Sequence, residues 1–506
     1  MKMSGKMVTL GILVILLVGP PAGAQEIQWI RQFGTTGSDQ ARGIWVDPSG
    51  IYVVGFTDGT LPGQSSAGGT DAFVRKYDLS GNEVWTRQFG TAGSDLLAGV
   101  SADGSGVYVV GTTDGALPGQ SHAGAIDAFV RKYDSSGNEV WTRQLGTASN
   151  DVANSLSLDA SGVYVGGFTG GALPGQISAG DADAFVRKYD VNGRELWTLQ
   201  FGTQGIDSVT SGGLFADVSG LYVAGDTTGA LPGEANAGGS DVFVRKFDVF
   251  GKGQWTRQFG GSDFDLARGI AVDARGIYVG GFTLGVLPGQ SSAGGRDAFV
   301  RKYDLNGNEQ WTRQFGTASL DHGHAVSSQA GSVYVFGRTD GAFPGQTSGG
   351  STDAFVRKYD VNGTEVWTRQ LGSASFDQAW GGSVRSPGVY FVGETHGTLL
   401  DQTNAGGADA FLAVLVVVTP VELLQLLIVD VVALNLQQGI TNSLDSKLDA
   451  VVEALDDLNE NNNVAAINAL QAFINAVEAQ RGIHIPEADA DALIAKAQQA
   501  IALLGG

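Results

Sequence analysis

The stretch DAFVRKYDLSGNEVWTRQFG, Asp71–Gly90, is followed by DAFVRKYDSSGNEVWTRQLG at Asp127–Gly146, and close versions return along the chain. Its tryptophan marks the period: Trp29, Trp85, Trp141, Trp197, Trp255, Trp311 and Trp367 stand 56, 56, 56, 58, 56 and 56 residues apart. A fixed period of this kind signals a repeat architecture in which each unit buries its faces against its neighbours. Each unit holds four β-like runs, in the first copy ARGIWVD, IYVVGFT, DAFVRKYD and NEVWTRQFG, rich in β-branched and aromatic residues and bounded by turn formers. DPSG (Asp47–Gly50) and DLSG (Asp78–Gly81) place a turn residue first and glycine last, which predicts hairpins and an antiparallel sheet. A longer loop, DGTLPGQSSAGGT (Asp58–Thr70), joins the second run to the third.

Four antiparallel strands repeated seven times predict a mainly β fold, a seven-bladed β-propeller rather than a linear solenoid. The repeats open with an isolated fourth strand, EIQWIRQFG (Glu26–Gly34), and finish with three strands only. The first strand is therefore expected to complete the last blade, which removes open sheet edges. The WTRQ tryptophan is expected to fill the space between adjacent blades.

The motifs DAFVRKYD, SGNEVWTRQFG and GSDxARGIxVDxxGIYVVG resemble the bacterial SBBP β-propeller repeat, found in exported and surface-attached proteins. The likeness runs from Glu26 to about Val418. It implies the fold and an extracytoplasmic setting, and it implies no single activity.

Residues 1–24 carry Lys2 and Lys6, an apolar run from Val8 to Val18, and Ala22-Gly23-Ala24. That is the pattern of a secretory signal peptide, with a mature chain beginning near Gln25. An apolar run of about a dozen residues is short for a bilayer, so no stable membrane span is expected after signal removal. The expected location is secreted, periplasmic or cell-surface. With no cysteine, disulfides and thiolate metal sites are excluded. Without Lys2 and Lys6 the chain holds 29 Lys+Arg against 52 Asp+Glu. So acidic a surface attracts cations and disfavours nucleic acid as a partner.

Beyond Thr419-Pro420 tryptophan ceases, alanine, leucine and asparagine rise, and apolar residues take helical spacing, as in Leu444, Leu448, Val451, Val452 and Leu455. Helices are expected at about 420–437, 442–458, 463–480 and 487–504. The stretches ITNSLDSKLDAVVEAL and NNNVAAINALQAFINAVEAQRG are similar to the FIMAH helical domain that ends many exported bacterial proteins, a resemblance that implies no activity. The expected division is signal peptide 1–24, propeller 25–418 and helical domain 419–506. In the seventh copy Leu412-Ala413-Val414-Leu415 replaces the Val-Arg-Lys run. An apolar edge in place of a solvated charged one calls for cover, and the segment Val421–Leu436 is expected to pack there as a plug.

No nucleophile motif surrounds any of the histidines, His122, His322, His324, His396 and His484. Asp39, Asp95, Asp151, Asp207, Asp265, Asp321 and Asp377 recur between the fourth strand of one blade and the first of the next. Asp71, Asp127, Asp183, Asp241, Asp297, Asp353 and Asp409 open every third strand, on the same face. These carboxylates either accept backbone N–H bonds in tight loops or hold Ca²⁺ with loop carbonyls; the D-x-D-x-D-G signature is absent. Three residues after the first Asp the copies diverge: Arg42, Ala98, Asn154, Thr210, Arg268, His324 and Trp380. Radial symmetry points them at the channel mouth. Arg42, Asn154, Arg268, His324 and Trp380 suit a glycan or peptide, with Trp as stacking platform and Arg or Asn as donors. His322, His324 and His396 on blades 6 and 7 offer a weaker metal alternative. The leading functional expectation is an exported, non-enzymatic binding or scaffold protein for an extracellular glycan or protein. The alternatives are a hydrolase or lyase acting on an extracellular polymer, and a purely structural surface protein.

Overall fold

The computed structural model describes residues 25–417 and, with gaps at 425–426, 429, 433, 435 and 457–461, residues 424–505. The expected signal peptide, residues 1–24, and the expected boundary at 418–419 lie outside the described residues. Each run of the repeat forms a strand, in blade 1 Asp39–Asp47, Gly50–Thr57, Asp71–Tyr77 and Glu83–Phe89. The strands of each blade pair antiparallel in chain order, giving seven four-stranded sheets. The seventh combines Asp377–Arg385, Gly388–Thr395 and Asp409–Val417 with Gln25–Phe33 as its outer strand. The protein is a seven-bladed β-propeller closed by its N-terminal strand.

The core lies between blades. Tyr52, Val54, Val74 and Trp85 of blade 1 pack against Val100, Val107, Val109, Phe129 and Tyr133 of blade 2. The repeated tryptophan grips the hairpin turn of the following blade: Trp85 Nε1 donates to Ser135 O at 3.3 Å, and Arg87 Nε donates to Gly137 O at 2.7 Å. Gly137, at φ +78°, lies so close that a Cβ there would be 2.8 Å from the Trp85 ring. Blade 7 has no such turn, because its third and fourth strands come from opposite ends of the chain. At that seam Trp367 Nε1 and Arg369 Nε are buried without hydrogen-bond partners among the described residues.

One expectation about charge is corrected. The arginine and lysine of VRKY are buried, Arg75 being 5% and Lys76 8% exposed. The Arg75 guanidinium sits 4.1 Å over the Phe33 ring of the neighbouring blade, donates to Thr86 Oγ1 at 2.8 Å and pairs with Glu83 at 3.6 Å. Stacking on an aromatic face and bonding its N–H groups lets this weakly hydrated cation lie between sheets. In blade 7 Val414 stands where the other copies have this lysine, and with Leu412 it packs against Ile51, Val53 and Phe73 of blade 1.

The propeller, Ile27–Val416, is one compact unit, and the C-terminal helices belong to a second. Its continuous helices among the described residues are α1 (Gln438–Asp456), α2 (Asn462–Glu478) and α3 (Glu487–Gly505). Leu424, Leu427 and Val431 of the expected plug join the core of this unit, with Leu448, Leu470, Phe473 and Leu493.

Candidate functional site

The first strand of every blade is innermost, and the seven together line a central cavity of about 450 Å³. Each departs from its ladder at one place. In blade 1 Ala41 faces Gly55 and Gly43 faces Val54, so Arg42 has no partner across the ladder. The same bulge isolates Ala98, Asn154, Arg268, His324 and Trp380. Blade 4 widens it to Thr210–Gly213, which absorbs the two additional residues of that copy, with Gly212 at φ +65°. A bulge bends the strand and re-aims the extra side chain, here toward the channel mouth.

All seven bulge residues line a cavity of about 490 Å³, joined by Phe56, Thr112 and Asp226 from second strands. The structure thus brings together every ligand candidate read from the sequence, Arg42, Asn154, Arg268, His324 and Trp380. Their roles differ from expectation at Trp380. His324 of blade 6 stacks on its ring at 4.4 Å and 14°, and Arg42 of blade 1 lies 3.7 Å over it. With a neighbour from each adjacent blade against it, the indole is a spacer within the wall and not an open stacking platform. Its N–H donates to Glu394 Oε1 at 3.2 Å. Asn154 Nδ2 donates to Val209 O at 3.0 Å, and Arg268 Nη1 donates to Ala267 O at 3.2 Å while lying 3.8 Å from Asp226. Asp226 also accepts the Ala267 N–H at 2.6 Å, which ties blade 4 to the bulge of blade 5.

Burial governs the protonation of these groups. It pushes the Asp226 carboxyl up to about 7 despite the attraction of Arg268. It lowers Arg42 to about 10, opposed by Glu394. His322 falls to about 3, through burial and then through Arg338, Arg296 and Arg268, and buried His324 is likewise held well below the ordinary imidazole range.

A second variable ring escaped the sequence reading. Immediately before the Thr that closes each second strand stand Phe56, Thr112, Phe168, Asp226, Phe282, Arg338 and Glu394. The signal was present, since the copies disagree there as they do at the bulge. What hid it was period-two alternation, which does not say which end of a strand meets the channel mouth.

The aspartates have a different geometry. Asp39 is fully buried, and its Oδ2 accepts the Thr35 N–H at 2.6 Å and the Thr35 hydroxyl at 3.0 Å. Asp95, Asp151, Asp207 and Asp321 repeat both bonds with Thr91, Thr147, Thr203 and Thr317. Asp265 accepts from the Gly261 N–H, and Asp377 from Ser373. Burial raises the carboxyls of Asp39, Asp95, Asp151, Asp265, Asp321 and Asp377 above the ordinary range. The third-strand set clamps the long loop: Asp71 Oδ2 accepts the Ala67 N–H at 2.9 Å and Gln88 Nε2 at 2.7 Å. Oδ1 of each of these carboxylates is buried without a hydrogen-bond partner among the described residues, and Ca²⁺ would need six to eight oxygens around it. One oxygen of each carboxylate is already committed. Among the described residues no three His, Asp or Glu groups converge as metal ligands. His322 and His324 stand 5.7 Å apart, whereas His396 packs on Phe376 and lies 3.7 Å from Glu394.

Comparison with known proteins adds the following. The profile of the SBBP family, described as a beta-propeller repeat, matches residues 28–62. The chain is similar to the regulatory protein FlaEY of Caulobacter vibrioides, 28% identical over 70% of this chain and 42% of that protein. It is also similar to the uncharacterized WD repeat-containing protein L264 of Acanthamoeba polyphaga mimivirus, 23% identical over 62% of this chain and 30% of that protein. The chain spans less than half the length of either relative. Among solved structures it is similar to the phage phi92 endosialidase, with TM-score 0.40, 12% identity, and coverage of 77% of this chain and 69% of that one. Similarity extends to a Synechocystis apocarotenoid oxygenase mutant, with TM-score 0.38, 10% identity, and coverage of 78% and 94%. Scores of this size carry no argument about activity. Among the described residues no helix is long and apolar enough to cross a membrane. Strand order and closure make the chain a seven-bladed β-propeller, of which residues 28–62 match the SBBP β-propeller repeat.

Proposed function

We propose that the protein is an exported, non-enzymatic binding or scaffold module that presents the channel mouth and the surrounding DGxLPGQ loops to an extracellular glycan or protein, followed by a FIMAH-like helical domain. One observation carries this reading. Within a repeat that otherwise copies itself closely, the seven bulge residues differ, and they line one cavity. Concave sites with a few convergent polar groups are where ligands bind. The loops around the mouth are held in place, with Leu61 buried and its N–H bonded to Gln88 Oε1 at 2.9 Å, so the rim is preorganised. Similarity to a protein described as regulatory is in keeping with a non-catalytic role. Saturable binding of the mature chain on glycan and peptide arrays, weakened in Arg42→Ala and Asn154→Ala variants that keep their thermal midpoint, is the expected result; binding that both variants retain in full sinks the reading.

A hydrolase or lyase is the second reading, favoured by one group, the Asp226 carboxyl poised at about 7 in the cavity wall. A general acid works best with a pKa near the operating pH. Turnover of an extracellular polysaccharide that survives repurification and disappears in Asp226→Asn would establish it.

A further inference from the structure

The junction of blades 5 and 6 gathers positive charge in a protein whose net charge is −21. His322 is the meeting point. Its Nε2 lies 3.2 Å from Arg296 Nη1, and Arg338 is its direct cross-strand partner. Its ring stacks at 4.3 Å on Phe282, over which the guanidiniums of Arg268 and Arg296 lie at 5.2 and 5.7 Å. Three guanidiniums of three separate segments therefore surround one neutral, buried imidazole. The local acids pair with only one of them. Among the described residues Arg268 alone of the three forms an ion pair, a loose one with Asp226. Among the described residues Arg338 Nε is buried without a hydrogen-bond partner, and its acidic neighbours are Asp340 and Glu394.

The repeat shows that none of these arginines is needed to build a blade. Where Arg296 stands, the other copies have Thr70, Ile126, Ala182, Ser240, Thr352 and Ala408; at the Arg338 position they have Phe56, Thr112, Phe168, Asp226, Phe282 and Glu394. Like charges brought together repel, and the arrangement persists at a cost unless an anion offsets it. Arginine is also the side chain whose planar fork matches carboxylate and sulfate oxygens.

We propose that Arg268, Arg296 and Arg338 form an oxyanion site at the edge of the channel mouth, which takes the carboxylate or sulfate group of this face's ligand. The phenyl and imidazole faces of Phe282 and His322 hold Arg268 and Arg296 apart and oriented, so their outward N–H groups need no rearrangement to meet an anion. Arg268 also lines the large cavity, so an anionic group bound here would extend its carrier into the mouth.

The inference rests on the reading of this face as the binding face, and its test separates the two. The thermal midpoint of the mature full chain is measured against sodium sulfate and sodium chloride at matched ionic strength, then against trigalacturonate and its neutral methyl ester. A ligand that binds only the native state raises the midpoint in proportion to its saturation. The expected result is a saturable rise with sulfate beyond that with chloride. Arg296→Gln and Arg338→Gln should each weaken it about tenfold or more, as loss of a charge-assisted bond requires. Arg194→Gln, in an exposed hairpin turn, should change nothing. A rise with sulfate but not trigalacturonate assigns the site to a free anion; a rise with trigalacturonate that needs Arg296 and is absent with the ester assigns it to an acidic sugar. Responses to sulfate, trigalacturonate and chloride that are indistinguishable, or unchanged in both arginine variants, overturn the proposal. Neutral-ligand binding that depends on Asn154 without any anion effect overturns the site and leaves the binding face standing.

Discussion

At Gly137 a single hydrogen atom decides how two blades meet. The residue combines φ +78° with a Trp85 ring that would lie 2.8 Å from an added Cβ. Gly63 shares a positive φ, +73°, but has nothing within 4 Å. Gly63→Ala should therefore cost about 1–2 kcal/mol from backbone conformation alone. Gly137→Ala should cost about 1–3 kcal/mol more, through overpacking against the indole. Urea titration of the two variants checks the order, and equal losses would remove the tryptophan clasp from the account. Asp226 gives a second test at this scale. Its folded carboxyl titrates at about 7, against 3.8 ordinarily. Between those values the native state holds a proton that the unfolded chain releases, so its contribution to stability falls as pH rises from about 4 to about 7. Asp226→Asn should flatten that part of the profile and raise the midpoint at pH 8 relative to the parent. An unchanged slope from pH 4 to 7 would show that Asp226 is ionised in the fold.

At the scale of the element, the recurrent bulge of the first strand turns a structural repeat into a variable surface. The ladder on either side of Arg42 is fixed by pairs such as Ala41 with Gly55 and Gly43 with Val54, so the bulge residue changes without disturbing the sheet. Asn154→Ala should accordingly leave stability within about 1 kcal/mol, the worth of its single bond to Val209 O, while altering binding. The position of this ring was legible in the divergence of the copies. The bulge was not, because nothing in Ala-Arg-Gly says that one residue is left out of the ladder. The aspartate loops make the opposite case. Their invariance fitted either calcium or hydrogen bonding, and the distances to Thr35 and its equivalents show the hydrogen bonds, made by Oδ2. Calcium and chelator should therefore give the same thermal midpoint. A shift of several degrees with Ca²⁺ would restore the aspartates as an ion site.

Across the whole molecule the ring depends on one strand from the far end of the chain. Gln25–Phe33 forms the outer edge of blade 7, and Phe33 also receives Arg75 of blade 1 on its ring. Gln32 fastens this seam further, with Nε2 donating to Asp409 Oδ2 at 2.8 Å and its N–H to Gln402 Oε1 at 3.0 Å. A chain beginning at residue 35 should lose the cooperative unfolding of the full ring and associate through the bared edge of Asp409–Val417. Calorimetry and gel filtration read the two effects, and a monomer with the parent's transition would show that the seam is dispensable.

The period of 56 residues, the turn signatures and the unmatched strands at the two ends determined the blade count, the strand order and the closure by themselves, because backbone pairing follows from alternation and turn chemistry that are local in sequence. Tertiary structure alone decided what the repeated charges do and what the variable residues meet. Arg75 looked solvated until Phe33 of another blade lay under it, and Trp380 looked open until His324 and Arg42 closed on it. Those contacts join residues from separate blades, 42 residues apart for Arg75 and Phe33 and 338 apart for Trp380 and Arg42. The geometry that joins them is the curvature of the ring, which no single repeat encodes.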